Sequence, residues 1–150
     1  MSSVVDAIAA GARSESAVWA RALRGAADWE PVFSPLAPDE LALGIETVYE
    51  AYLVHYGRPR LFEPPDRDEA VLLGDYLYAH GLVRVADTGG VAAVRVLAEL
   101  ISRCAALRAD GAEGADGAAW VAAARALGGS PSDAAVGRAL DAHSARVAPS

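Results

Sequence analysis

The stretch that decides the fold reads Ala70-Val71-Leu72-Leu73-Gly74-Asp75-Tyr76-Leu77-Tyr78-Ala79-His80-Gly81-Leu82-Val83-Arg84-Val85-Ala86. It is the longest dense apolar segment of the chain, and Asp75 lies within it. A carboxylate inside an apolar helix must be paired, solvated or functional, because burying an isolated charge is costly. The stretch therefore predicts a central helix in which Asp75 needs a partner, water or a role.

The composition predicts one helical domain over residues 1–150. Hydrophobic residues make up 53% of the chain, and much of that share is alanine, the strongest helix former. A chain of this length is one domain by the usual prior. The net charge of −7 argues against nucleic acid or an anionic membrane as the main partner.

Cysteine usage and the first residues indicate a cytoplasmic protein. Cys104 is the one cysteine, so no disulfide forms within a chain and a reducing compartment is expected. The start at Met1 lacks the basic and apolar regions of a signal peptide. No uncharged apolar run reaches the ~18 residues that a membrane span needs.

Prolines, glycines and acids divide the chain into about six helices and leave no convincing strand. Asp66 and Glu69 have the spacing of a capping box, and Ser130 before Pro131 is a start signal for the last helix. The predicted helices cover residues 3–27 with a break near 11–14, 38–56, 66 to about 87, about 90–107, 118–127 and 131–147.

No nucleophilic, zinc or phosphate-loop motif is present, and the possible nitrogen and sulfur ligands are scattered. Cys104 lies on the apolar face of its helix and is predicted to be a buried, inert thiol. The acidic loop 110–117 lacks the oxygen spacing of a calcium loop, so its carboxylates are expected to be solvated. The scattered ligands are His55, His80, Cys104 and His143.

Two further patterns mark the central helix. Gly74 and Gly81 lie seven residues apart, hence on one face, and allow a neighbouring helix to approach closely. Tyr76, His80 and Arg84 form a polar stripe at helical spacing, which is predicted to be a partly solvated edge.

The central stretch resembles a segment of the trans-isoprenyl diphosphate synthases. Ala70 to Leu77 match the family's A-V-L-x-G-D-x-L, and Gly57-Arg58-Pro59 match the end of its R-R-G-x-P. Upstream, Glu46-Thr47-Val48-Tyr49-Glu50 falls where the family has its first D-D-x-x-D motif. The likeness covers residues 41–112 and implies an all-α bundle resembling a truncated isoprenoid-synthase fold.

The departures from that family imply a non-catalytic role. Only Glu46 and Glu50 remain as acids of the first motif, Thr47 replaces its middle acid, and a second D-D-x-x-D is missing. Arg58 would be a remnant of the diphosphate-binding region. In the synthases paired motifs hold Mg²⁺ against the diphosphate. Here Mg²⁺ is expected only in a partner, and Glu46 and Glu50 are expected to be solvated on a helix face.

The resemblance implies the small subunit of a heteromeric prenyl diphosphate synthase, which supports polyprenyl synthesis for quinone side chains. The central helix and its successor would face the catalytic subunit, and Asp75 would be held by a hydroxyl or an arginine of a neighbouring helix. The residues expected to be structural or at that interface are Gly74, Asp75, Tyr78, Gly81 and Leu82.

Two alternatives stay open. The first is a truncated synthase-fold protein that binds an isoprenoid or another apolar ligand. It predicts a cavity between helices lined by Leu53, Val71, Tyr78 and Leu97. The second is a generic helical interaction domain whose resemblance to the synthases is fortuitous.

Overall fold

A computed structural model describes residues 3–148 of the chain. It is an all-α bundle, which confirms the predicted fold class, and the described residues form six α-helices and no strand. Short 3₁₀ turns precede α3 and α5. The helices are α1 (Val4–Glu15), α2 (Ala17–Ala22), α3 (Ala42–Tyr56), α4 (Arg67–Ala109), α5 (Asp116–Ala126) and α6 (Asp133–Val147).

The long helix α4 contains the stretch on which the sequence is centred. The carboxylate of Asp66 caps it by accepting a hydrogen bond from the backbone N–H of Glu69 at 2.8 Å. At Gly90 the backbone turns to φ 70° and ψ −168°, which breaks the helical path. Glycine adopts such a positive φ without strain. The predicted break between two helices is therefore confirmed, and it falls at Gly90.

Helix α3 lies at the centre of the molecule, and the continuous run Gly44–Val54 within it is buried. It packs against α4 at close range, because Gly81 of α4 faces Val48 of α3. A Cβ at Gly81 would lie 2.6 Å from Val48 Cγ2. Gly74 lies in the same way against His55. The glycine face of α4 thus packs against α3 of the same chain.

Two helix boundaries differ from the sequence-based prediction. Ser16 separates α1 from α2, later than the predicted break, because its hydroxyl accepts from the backbone N–H of Val18 and starts a new helix. Helix α2 ends at Ala22, so residues 23–27 are not helical. The cap of α6 is Ser132, two residues after the predicted Ser130, and its hydroxyl accepts from Ala135 N at 3.1 Å.

The core consists of two apolar clusters on opposite sides of α3. One joins α3 to α5, α6 and the second half of α4, and its centre is the aromatic set Phe33, Tyr49, Tyr52 and Trp120. The other joins α1, α3 and the first half of α4. Among residues 3–148, no helix has the length and apolar character to cross a bilayer.

Candidate functional site

The two glutamates of the degenerate motif form a buried ion triad with Arg60. Helix α3 places Glu46 and Glu50 one turn apart, facing the segment after its own C-terminus. Arg60 Nη1 lies 2.5 Å from Glu46 Oε1, and Arg60 Nε lies 3.0 Å from Glu50 Oε1. All three side chains are fully buried. The expectation that both glutamates are solvated was wrong, because Arg60 neutralises one charge and draws both carboxylates inward.

Backbone donors complete the triad. Glu46 Oε2 accepts from the N–H groups of Val32 and Ser34 at 3.1 and 2.9 Å. Glu50 accepts from the N–H groups of Arg60 and Leu61. Charged groups bonded in this way tolerate burial, because charge-assisted hydrogen bonds offset lost hydration. The triad therefore fixes the loop before α3 and the segment after it to the same face of α3.

Arg60 itself is satisfied on every side. Its Nη1 and Nη2 donate to the carbonyls of Glu30 and Glu46 at 2.8 and 3.1 Å. Its guanidinium lies 4.1 Å from the ring centroid of Trp29 and 5.0 Å from that of Tyr49. Burial works to lower the pKa of Arg60, but the two carboxylates raise it more, so the group stays charged.

This geometry does not fit a Mg²⁺ site. Mg²⁺ needs oxygen ligands in an octahedral shell that includes water or substrate, whereas an arginine fills the space between Glu46 and Glu50. Thr47 is separate from the pair, since its Oγ1 donates to Leu43 O and accepts from Arg84 Nη1. Within residues 3–148 no three His, Cys, Asp or Glu side chains cluster in a way that could hold a metal ion.

Sequence reasoning missed Arg60, although one signal pointed to it. Two glutamates four residues apart in an otherwise apolar helix need a cation, and Arg58 and Arg60 are the first arginines after that helix. The structure separates these arginines. Arg58 is exposed and donates to the carbonyls of Ala145 and Ala148 at the end of α6. It caps a helix C-terminus, where a cation is favourable.

Asp75 has an environment opposite to that of the triad. Its side chain is 65% exposed, and its Oδ1 lies 3.4 Å from His55 Nε2. The expected hydroxyl or arginine partner was wrong, because the neighbouring helix offers a histidine there. Burial lowers the pKa of His55 more than Asp75 raises it, so the ring is neutral at pH 7. Asp75 is therefore a solvated carboxylate at the edge of a neutral ring.

A second set of buried polar contacts joins α3 to α4, α5 and α6. Tyr49 Oη lies 2.8 Å from His143 Nδ1, and Tyr52 Oη donates to Asp116 Oδ2 at 2.5 Å. Arg108 Nε lies 3.3 Å from the same Asp116 oxygen. Asp116 is fully buried, so the expectation that every acid of loop 110–117 is solvated was wrong. This acid begins α5 and is turned inward by the tyrosine and the arginine.

Burial governs the titration of these groups. It lowers the pKa of His143 to about 4, so the ring is neutral at pH 7. It raises the pKa of the Cys104 thiol to about 12, with nearby Asp116 acting in the same direction. Cys104 is thus buried and protonated, and the predicted inert thiol is confirmed.

The polar stripe of α4 is half-buried, which confirms the predicted partly solvated edge, and it packs on α1 and α2. Tyr76 Oη lies 2.6 Å from His80 Nδ1, and the Tyr76 ring stacks on Trp19. Arg84 donates to Ala7 O at 3.0 Å and so ties α4 to α1. These contacts are structural, since each side chain is bonded within the chain.

The cavity predicted for an apolar ligand does not form at the expected residues. Leu53 and Leu97 are fully buried in the core, whereas Val71 is 42% exposed on the outside of α4. The internal cavity beside Leu97 has a volume of about 10 Å³, which is too small for an isoprenoid. A larger cleft of about 340 Å³ lies at the start of α4, between His55, Pro64, Arg67 and Val71.

The residues predicted to be structural or at the interface differ in how far they are buried. Gly74 and Gly81 pack against α3 within the chain, while Tyr78 and Leu82 are half-buried at the edge of the exposed side of α4. Only Asp75 of this set is exposed. The exposed side of α4 carries Leu72, Asp75, Ala79, Val83 and Ala86, and is called the outer face of α4 below.

Comparison of the chain with protein-family models, curated proteins and solved structures gave no match.

Proposed function

We propose that this protein is a non-catalytic subunit that supports polyprenyl diphosphate synthesis by a catalytic partner chain. The observation that carries the proposal is the triad. Glu46 and Glu50 occupy the positions where the resemblance puts a metal-binding motif, but their carboxylates are bound by Arg60 and backbone N–H groups and are not available to a metal ion. Ionising an allylic diphosphate needs cations against the leaving group. The partner would supply the Mg²⁺ site and the substrate site.

The surface of α4 supports the same proposal. A subunit without its own chemistry must act through contact, and large exposed apolar side chains mark contact surfaces. Leu72 and Val83 on the outer face are 60% and 59% exposed. The expected partner surface on the central helix thus has apolar area available, although its glycines are used inside the chain.

Reconstitution with a full-length prenyl diphosphate synthase from the same organism tests the proposal. Each chain is purified alone, and the two are also co-expressed. Transfer of labelled isopentenyl diphosphate to farnesyl diphosphate is then measured with Mg²⁺. We expect no transfer by this chain alone and a higher rate or longer products for the pair. Transfer by this chain alone, or a pair that behaves as the synthase alone for every synthase of that organism, would contradict the proposal.

An isoprenoid carrier is the weaker candidate. Its support is the cleft of about 340 Å³ at the start of α4, which has apolar walls from Ala70 and Val71. A ligand that binds the native state raises the melting temperature. If farnesyl diphosphate raises the melting temperature of wild type but not of an Ala70→Glu variant, the carrier role is supported. No change in wild type would remove it.

A further inference from the structure

The exposed large hydrophobic side chains among residues 3–148 all belong to α4. They are Val71, Leu72, Val83 and Val91, with exposures of 42%, 60%, 59% and 78%. Single exposed apolar residues are common on any protein. Here, however, all four lie on one helix, so the exposed large apolar side chains of the described residues are concentrated on α4.

The apolar residues of the outer face follow one side of α4, with Asp75 at the edge of that side between Leu72 and Ala79. Leu72, Ala79, Val83 and Ala86 follow one another at spacings of seven, four and three residues, which keeps them on one side. At a rise of 1.5 Å per residue, this face is roughly 21 Å long. The opposite side of the same segment is occupied, since Leu73, Leu77 and Val85 are buried. An apolar stripe of this length matches about four turns of a second helix.

The charges beside the stripe are negative. Asp68, Asp75 and Asp87 are exposed along this part of α4. Arg84 is the one arginine between Asp68 and Val91, and it is turned away because it donates to Thr47 Oγ1 and Ala7 O. A partner that covers the stripe therefore meets three exposed carboxylates of α4, with exposed Arg67, next to Asp68 in sequence, as the cation of α4 near them.

We propose that the outer face of α4 docks an amphipathic helix of another polypeptide, whose apolar side is flanked by Lys or Arg placed against Asp68 and Asp75. The inference rests on the proposed function for the existence of a partner chain and adds the chemistry of its contact surface. Opposite charges across an interface fix register and reject wrong partners. A second copy of this chain is the poorer occupant, because it would bring a second set of carboxylates to the same contact.

Peptide binding tests the inference. The probe is a fluorescein-labelled helical peptide of 18 residues, about 27 Å long, with a leucine and alanine stripe flanked by lysines. The comparison peptide has glutamates in place of the lysines. Anisotropy is measured with wild-type protein, with Asp68→Lys/Asp75→Lys, and with the matched control Asp133→Lys/Asp141→Lys. The control has the same net charge and replaces a first-turn and a mid-helix acid of α6.

We expect the lysine peptide to bind wild type and the control alike, and to bind Asp68→Lys/Asp75→Lys about tenfold or more weakly. Leu72→Gln/Val83→Gln should also remove binding while circular dichroism stays native. Equal binding of both peptides, equal loss in the two charge variants, or no binding at all would overturn the inference. A wild-type dimer in sedimentation that dissociates in the Leu72→Gln/Val83→Gln variant would overturn the inference as well. These measurements need no synthase. The peptide test can therefore fail while the reconstitution succeeds, and the reconstitution can fail while the peptide test succeeds.

Discussion

Glu46 and Glu50 of α3 and Asp75 of α4 lie in environments opposite to those that their sequence contexts predict. Glu46 and Glu50 occupy a motif position where carboxylates are expected to face solvent, yet both are fully buried. Asp75 sits in the most apolar stretch of the chain, yet its side chain is 65% exposed. The difference comes from a third residue, because Arg60 reaches the glutamates and no arginine reaches Asp75. The environment of an acid thus depends on the helix face that it occupies and on the cation that the fold brings to that face.

The two regions differ in their roles, because the residues of the triad stabilise the fold and those of the outer face of α4 are exposed for contact. The triad links three segments through α3 and has no unused oxygen for a ligand. The outer face of α4 has exposed apolar side chains and an exposed carboxylate. Changes in the first region should therefore alter stability, and changes in the second should alter association.

Removing the cation of the triad is the change with the largest expected effect. Arg60→Met leaves two buried carboxylates without a counter-charge, so the free energy of unfolding should fall by about 3–5 kcal/mol. Urea unfolding followed by circular dichroism measures it. Asp75→Asn is the matched control and should change the free energy by less than about 0.5 kcal/mol.

If Arg60→Met unfolds at the same urea concentration as wild type, the triad contributes nothing to stability, and the two regions do not differ as described. If Arg60→Met does not fold, Glu50→Gln gives a milder version. It keeps the shape and one of the two acceptor oxygens of Glu50. The other oxygen becomes an NH2 group, so the midpoint should fall without folding being abolished.

The second set of buried polar contacts should make stability fall in mild acid. The pKa of His143 is lowered to about 4 in the fold, against about 6.5 in the unfolded chain. Between these values the unfolded chain binds more protons, so stability is complete above about pH 6.5 and decreases as the pH falls toward 4. The expected loss is roughly 3 kcal/mol, at about 1.4 kcal/mol per pKa unit.

Urea unfolding at a series of pH values, compared with His143→Gln, isolates this contribution. The variant should be less stable than wild type at pH 7 and should show a shallower decrease toward pH 4. Parallel curves for the two proteins would mean that His143 does not titrate in this range.

The glycine face of α4 is buried against α3, whereas the outer face of the same helix is exposed. Gly81→Ala places a Cβ 2.6 Å from Val48 Cγ2 and 3.1 Å from Val48 N, so crowding should cost about 1–3 kcal/mol. Gly137→Ala is the control, since its Cβ meets nothing within 4 Å in α6. It should stabilise by about 0.5–1 kcal/mol. Thermal unfolding of both variants measures the difference, and shifts of the same sign would contradict the close approach of α3 and α4.

The smallest expected effect belongs to the outer face itself. Leu72→Gln and Val83→Gln replace side chains that are already 60% and 59% exposed, so each should change the free energy of unfolding by less than about 0.5 kcal/mol. A loss above 2 kcal/mol in urea unfolding would show that the side chains are buried, and the contrast between the two regions would not hold.

Much of the fold could be predicted because its boundaries depend on local signals. Asp66 before an apolar run predicts the start of α4, Gly57 predicts the end of α3, and Gly90 predicts the break. These residues act on backbone within one helical turn. The start of α2 was harder, because Ser16 competes with nearby serine and glycine as the stop signal.

The environment of the candidate residues could not be predicted in the same way. The ion pairs of Arg60 and the hydrogen bond from Tyr52 to Asp116 cross 10 to 64 positions of sequence. Hydropathy along the chain carries no information about such contacts. A charged residue at helical spacing therefore indicates a face of the helix, and only the tertiary fold decides whether that face meets water, an arginine or a partner.

Carboxyl labelling of the native protein tests the contrast most directly. Carbodiimide coupling to glycine ethyl ester, followed by peptide mass spectrometry, reports the reaction rate of each acid. We expect Asp75 to be labelled in the folded protein, while Glu46 and Glu50 remain unmodified until urea unfolds it. Labelling of the two glutamates at the rate of Asp75 in the native state would contradict the buried triad. The assignment of the two regions to fold and to contact would then fail.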